Sequence, residues 1–163
     1  MSDTYSHGHH ESVLRSHTWR TVENSAAYLL PHLRPGQRLL DVGCGPGTIT
    51  ADLAGRIAPG EVLGVDAGAD VIAKAQATFD PATHPNLRFA TGDGYHLDHP
   101  DQTFDVVHAH QVLQHLTDPV AALTEWRRVL RPGGVLAARD SDYAAFVWSP
   151  DDPVLDRWLD LYH

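Results

Sequence analysis

Three glycines at alternate positions, Gly43, Gly45 and Gly47, follow an acid, Asp41, in the string Leu39–Gly47 (L-L-D-V-G-C-G-P-G). Glycine opens backbone conformations closed to other residues and lets a ligand lie against the main chain. The dinucleotide fingerprint G-x-G-x-x-G needs a glycine three residues after Gly45, and Thr48 stands there instead. Asp41 occupies a place where dinucleotide folds put an apolar residue, and an acid there can meet a cationic amine. Two more acids lie downstream, Asp66 in G-V-D and Asp93 in T-G-D-G. A carboxylate accepts hydrogen bonds from hydroxyls or amines and donates none. His110 and His115 are the candidate general bases, each weighed against a plain packing role. Cys44 reads as a small loop residue, since no activating base is in view. Asp140, Asp142 and Tyr143 are candidates for substrate or cofactor contact, against the simpler reading of loop residues. His7, His9, His10 and His17 invite a metal reading, but H-x-H-H with no helix or strand to fix its geometry is read as a polar lid or tail.

These residues need elements to position them, and the sequence supplies a strand–helix alternation after residue 37. Arg38–Val42 is a short apolar strand that ends in the glycines. Thr48–Ile57 is a helix, with Ile49, Leu53 and Ile57 four apart on one face. Pro59-Gly60 stops it. Glu61–Asp66 is a second strand, and Ala69–Phe79 a second helix with Val71, Ile72, Ala75 and Phe79 toward the sheet. Leu87–Ala90 and Phe104–Ala109 are the third and fourth strands. Thr117 or Asp118 caps the next helix, with Pro119 at its first position. Val120, Leu123, Arg127 and Leu130 follow helical spacing there, Arg131-Pro132-Gly133-Gly134 ends it, and Val135–Arg139 is a fifth strand. A helix over Thr18–Leu33 precedes this core, and an apolar stripe of Val154, Leu155, Trp158, Leu159 and Tyr162 follows it. Alternating strands and helices with right-handed crossovers imply an α/β, doubly wound, mainly parallel sheet. Ligands of such sheets sit beyond the carboxyl ends of the strands, where the glycine loop lies.

Leu39–Gly47 resembles motif I of the class I S-adenosylmethionine-dependent methyltransferases. Residues 37–140 resemble the subgroup (methyltransferase type 11) that includes the ubiquinone- and menaquinone-biosynthesis enzymes. The resemblance implies a Rossmann-like sheet of order 3-2-1-4-5 under an N-terminal helical lid. It implies S-adenosylmethionine as cofactor, held by Asp41, Gly43, Cys44, Gly45, Gly47, Asp66, Ala67, Gly92, Asp93, Gly94, His110 and Gln111. Within that set Asp66 would take the ribose hydroxyls, Asp93 the adenine amine with the Gly94 N–H on a ring nitrogen, and Asp41 with Gly43 the methionine amine. His110-Gln111 would lie beside the methyl group, and R-P-G-G at 131–134 matches the family's turn before the fifth strand. The helix before the first strand, with the segment from Tyr5 to His17 and with Arg15, Trp19 and Tyr28, would fold over the cofactor. Complete members continue past the fifth strand with a cap and usually two more strands. The expected organisation is therefore 1–36 as lid, 37–145 as cofactor domain and 146–163 as the start of a truncated cap helix.

Composition limits the alternatives. The chain has 163 residues, enough for one domain with a core, and 42% of them are hydrophobic. No apolar run reaches the ~20 residues of a membrane-spanning helix. Met1–His10 is polar, without the apolar core of a signal peptide, so the expectation is a cytoplasmic protein. One cysteine allows no internal disulfide. A net charge of −9, with 12 basic residues against 21 acidic ones and no basic stripe, disfavours nucleic acid and favours a small-molecule acceptor. The exposed fifth strand offers an edge for a second copy. The function expected is methyl transfer from S-adenosylmethionine by in-line displacement. Against it stand a cofactor-binding module without turnover and, more remotely, a nicotinamide-dependent oxidoreductase. The identity of the acceptor, and whether carbon, oxygen or nitrogen is methylated, is left open.

Overall fold

The computed structural model describes residues 19–142 and 145–162. Tyr5, His7, His9, His10, Arg15, His17 and Tyr143, all named above, lie outside the described residues. Five parallel strands form one sheet in the order β3-β2-β1-β4-β5: β1 Leu39–Val42, β2 Val62–Asp66, β3 Leu87–Thr91, β4 Phe104–His110 and β5 Leu130–Arg139. This is the expected order. β1 is central, and all four of its residues are buried, as a strand covered on both faces must be. Strand order reverses between β1 and β4, so the loop after β1 opens at the switch point.

Helix α1 (Val22–Ser25), a 3-10 turn (Ala27–His32), α2 (Thr48–Ile57) and α3 (Ala69–Thr78) contribute to one core. In it Ile49, Leu53 and Ile57 pack with Leu39 and Val106. Helix α4 (Pro119–Val129) covers the other face, against Leu40, Val42 and Val107. Asp118 is its N-cap and accepts from the Ala121 N–H, with Pro119 next.

The single helix expected over Thr18–Leu33 is instead α1 and the 3-10 turn, broken at Ala26 with φ −135°. Thr21 and Asn24 close a capping box that fixes where α1 starts. Arg139 donates to the carbonyls of Asn24 and Ser25, which a longer helix would need for itself. Pro31 removes a further donor. In α4 the apolar face is also rotated from the expected one. Ala122, Trp126 and Val129 are buried, whereas Val120 is 71% exposed. Trp126 fills the space under the sheet and donates its Nε1–H to the Gly94 carbonyl at 2.9 Å.

The R-P-G-G string does not separate α4 from β5. The strand starts at Leu130, and the string bulges between two registered pairs, Phe104↔Leu130 and Val106↔Val135. Arg131 holds the bulge to Asp105 at 2.8 Å. Helix α5 spans Pro153–Tyr162. Within its apolar stripe Val154 is 75% exposed and Trp158 44%, whereas Leu159 is half-buried. No helix among the described residues is long and apolar enough to cross a membrane.

Candidate functional site

Asp41 and His108 are Cα partners in the register of β1 with β4. Their side chains share one face of the sheet, and His108 Nδ1 lies 2.7 Å from Asp41 Oδ1. Thr50, in the first turn of α2, donates its hydroxyl to Asp41 Oδ2 at 2.6 Å. Asp41 is 2% exposed and His108 is fully buried. Asp41 thus fastens β1 to α2 and β4 at the foot of the glycine loop.

Above it the loop is held by the next strand. Gly43 and Cys44 both donate to the Val65 carbonyl, at 2.8 and 3.0 Å. Gly45 donates to Asp66 Oδ2 at 3.0 Å, and Gly68 to Asp66 Oδ1 at 2.9 Å. One carboxylate therefore ties the loop after β1 to the loop after β2. Two bonds leave lone-pair sites on Asp66 for further donors. Gly45 has φ +54°, and a Cβ built on it would meet nothing within 4 Å, so its outer face is open to a ligand. Gly47 is the opposite case: it caps α2 with φ +84°, and a Cβ there would lie 2.5 Å from Phe89 Cζ.

Cys44 turns its side chain inward, against Gly64, and packs on the core. Burial, then the carboxylates of Asp41 and Asp66, push its thiol far above the ordinary range. So held, the thiol stays protonated and packs as an apolar group. Ala67 is exposed between Asp66 and Gly68. Asp93 is exposed beyond β3, where Oδ1 accepts from the Tyr95 N–H at 2.8 Å and Oδ2 lies 3.2 Å from His96 Nδ1. Gly92 precedes it and Gly94 follows, the latter pinned by Trp126.

The end of β4 brings together residues that sequence reasoning named and residues it missed. Gln111 has φ +55°, rare for a side-chain-bearing residue and frequent where a site constrains the backbone. Its N–H donates to the Arg139 carbonyl at 2.7 Å, its Oε1 accepts from Arg20 at 2.6 Å, and its Nε2 donates to Ser141 at 3.3 Å. Arg20 and Arg139 together clasp the N-terminal segment over the ends of β4 and β5. Tyr28 belongs to this neighbourhood, its phenol raised chiefly by burial and then tuned by Arg139, Asp41 and Asp140. Trp19 is 74% exposed.

His110 is half-buried, and burial, then Arg20, His108 and Arg139, lower its pKa to about 4. Its imidazole is neutral at neutral pH. Its side-chain nitrogens, followed by NMR, are expected to titrate at about 4 in place of 6.5. Unfolded chains bind that proton first, so the ring's contribution to stability is complete above 6.5 and declines as pH falls toward about 4. A His110 midpoint at its ordinary value would show that the ring is neither buried nor faced by the arginines. His115 lies in the 3-10 turn Leu113–His115, with Nε2 3.2 Å from Gln114 Nε2.

Thr50, His108, Arg20, Gln114 and Arg139 were not singled out from the sequence. A signal existed for His108: H-A-H after the apolar pair Val106-Val107 puts His108 and His110 on one face of the strand, and a buried polar residue is the informative observation.

Residues 40–138 match the family model described as "Methyltransferase domain". An uncharacterised methyltransferase of Schizosaccharomyces pombe is 41% identical over 144 residues, covering 85% of this chain and 52% of the relative. A demethylmenaquinone methyltransferase of Beutenbergia cavernae is 33% identical over 133 residues, covering 79% and 50%. Among solved structures, the YcgJ protein of Bacillus subtilis superposes with a TM-score of 0.69 at 27% identity, covering 85% of this chain and 57% of that one. The chain spans about half the length of the curated relatives it matches, 52% and 50% for these two.

Proposed function

This chain belongs to the class I S-adenosylmethionine-dependent methyltransferases, and on that premise we propose that it transfers the cofactor's methyl group, in line, to a small-molecule acceptor. The single observation that carries this reading is Asp66. Its carboxylate joins the open, left-handed Gly45 to the start of α3 and keeps lone pairs for two neighbouring hydroxyls. When bound, S-adenosylmethionine supplies an electrophilic methyl on a sulfonium whose departing thioether is neutral.

Asp66 would hold the ribose, with Ala67 beside it. Asp93 and Gly94 would hold the adenine, with Gly92 leading into their turn. The main chain of Gly43, Cys44, Gly45 and Gly47 would lie along the cofactor, supported from below by Asp41. His110 and Gln111 would flank the methyl. Because the leaving group needs no proton, the protein's task is positioning; a base is required only where the acceptor must lose a proton. His110, at the end of β4, is one candidate for that role, a weak base with its pKa lowered to about 4, and His115 next to Gln114 is the second.

Calorimetry with S-adenosylmethionine tests the reading. Asp66→Ala is expected to weaken binding by about 1.5–3 kcal/mol, the range for hydrogen bonds to a charged group. Absence of binding by the folded chain, or equal binding by Asp66→Ala, would sink it. A net charge of −9 supports a small molecule over nucleic acid as partner. The cytoplasm is the compartment we assign, and a second copy pairing along the β5 edge is the oligomer this reading allows.

A further inference from the structure

Among the described residues, Gln102 and Gln111 alone carry a side chain on a left-handed backbone, and Gln111 is the one at the carboxyl end of a strand. Glycine takes its φ of +55° at less cost, so glutamine is not there for the turn itself. Its N–H and both amide atoms bind three different parts of the chain. The N–H donates to the Arg139 carbonyl at the end of β5 at 2.7 Å. Oε1 accepts from Arg20, just before α1, at 2.6 Å, and Nε2 donates to Ser141 Oγ, past β5, at 3.3 Å. The strain has a geometric use. An extended residue 111 would point with Ala109 to the face that α4 covers, because side chains alternate along a strand. Arg20 belongs to the segment packed on the other face, over Val106. The left-handed turn at Gln111 lets its amide meet Arg20.

The N-terminal segment has a second anchorage on α2, where the Val22 N–H donates to Asp52 Oδ2 at 3.1 Å and Glu23 pairs with Arg56. On the sheet side Arg139 donates to the carbonyls of Asn24 and Ser25, while its own carbonyl holds the Gln111 N–H. The segment therefore reaches from α2, which follows the glycine loop, to the ends of β4 and β5. The ligand crevice of such a sheet opens between those anchorages. Val42 and Ala109 are register partners, so Gly43 and His110 come next along their strands and Gln111 stands one step further out.

We propose that Gln111 is a positioning residue whose amide, bridging Arg20 and Ser141, latches the N-terminal segment to the outer end of β4 and sets how fast the cofactor leaves. The latch closes after the ligand has entered, so it acts on dissociation more than on association. Strain held by several partners at a ligand crevice is the pattern expected of such a device. The cofactor named here rests on the methyl-transfer reading; the bridge of Arg20, Gln111 and Ser141 does not.

The test is the release of radiolabelled S-adenosylhomocysteine from the full chain, chased with unlabelled ligand. Gln111→Gly keeps the backbone bond and relieves the strain. It is expected to speed release by about tenfold or more, as loss of a hydrogen bond to a charged group predicts, with a urea midpoint close to wild type. Arg20→Ala is expected to speed release equally, and the double variant no more than either alone. Gln111→Glu, which keeps an oxygen for Arg20, is expected to restore slow release. In the ligand-free chain, amide hydrogen exchange across residues 20–33 is expected to quicken in Gln111→Gly and in Arg20→Ala. Unchanged release or unchanged exchange in Gln111→Gly overturns the latch alone. So does faster release that Arg20→Ala does not share, which would mean that the amide touches the cofactor directly. If S-adenosylhomocysteine fails to bind the folded wild-type chain, the methyl-transfer reading falls and takes the effect on release with it.

Discussion

Asp41→Ala is expected to lower the free energy of unfolding by about 2–6 kcal/mol, about 1–3 for each of the two buried groups, His108 and Thr50, left without its partner. Domains of this kind hold only about 5–15 kcal/mol in total. The reason is geometric. Asp41 accepts from Thr50 at 2.6 Å and pairs with His108 at 2.7 Å, and His108 already has one ring nitrogen without a partner. Alanine would leave a buried imidazole with no hydrogen-bond partner on either nitrogen and Thr50 without the acceptor it now has. Asparagine keeps an oxygen for one of the two, so Asp41→Asn is expected to cost about 1–3 kcal/mol. Urea denaturation reads both, as a fall in midpoint at unchanged slope. A loss under ~1 kcal/mol for Asp41→Ala would mean that the cluster does not fasten β1 to α2 and β4. Because the glycine loop grows out of the residue after next, the same variant is expected to lose cofactor affinity even under conditions where it stays folded.

Two glycine substitutions, two and four residues past Gly43, are expected to part company. At Gly47 an alanine must adopt φ +84°, which costs about 1–2 kcal/mol for a side-chain-bearing residue. Its Cβ must also displace the Phe89 ring, now 2.5 Å away, with Phe79 close behind at 3.3 Å; overpacking of that sort costs about 1–3 kcal/mol more. The sum, ~2–5 kcal/mol, falls on the fold, because Phe89 belongs to the core beneath α2. At Gly45 the conformational cost is similar, about 1–2 kcal/mol, yet the added methyl meets no protein atom. Gly45→Ala should therefore stay folded and lose S-adenosylmethionine, as the methyl projects into the face left open for it. Denaturant midpoints paired with calorimetry for the two variants check this. Equal stability with equal binding losses would show that the two glycines are used in the same way.

The strands and α2 were legible because their signals are local. Ile49, Leu53 and Ile57 repeat at helical spacing, and β1 reads as an apolar run cut off by glycines. Three misreadings share a different cause. Nothing within Thr18–Leu33 reveals that Arg139, more than a hundred residues later, takes the carbonyls of Asn24 and Ser25 away from a continuing helix. The face of α4 was assigned from Val120 and Leu123, although Trp126 is the larger apolar payload and its indole N–H has a partner in Gly94. The R-P-G-G string carries ordinary stop signals, but its Arg131 pairs with Asp105 and keeps the segment inside β5. Asp41 is the same lesson at the site. Its position within the loop motif was plain, but its two partners, one on α2 and one across the sheet on β4, exist only in three dimensions.

Trp126 gives the molecule a built-in optical probe. It is fully shielded from water, whereas Trp19 and Trp158 are 74% and 44% exposed and Trp148 is half-buried. Its emission should lie to the blue of theirs. Because its indole N–H is bonded to the carbonyl of Gly94, the segment assigned to the adenine and the interior chromophore move together. Any ligand that tightens or loosens that segment should change the colour and intensity of one residue's fluorescence, with no label attached.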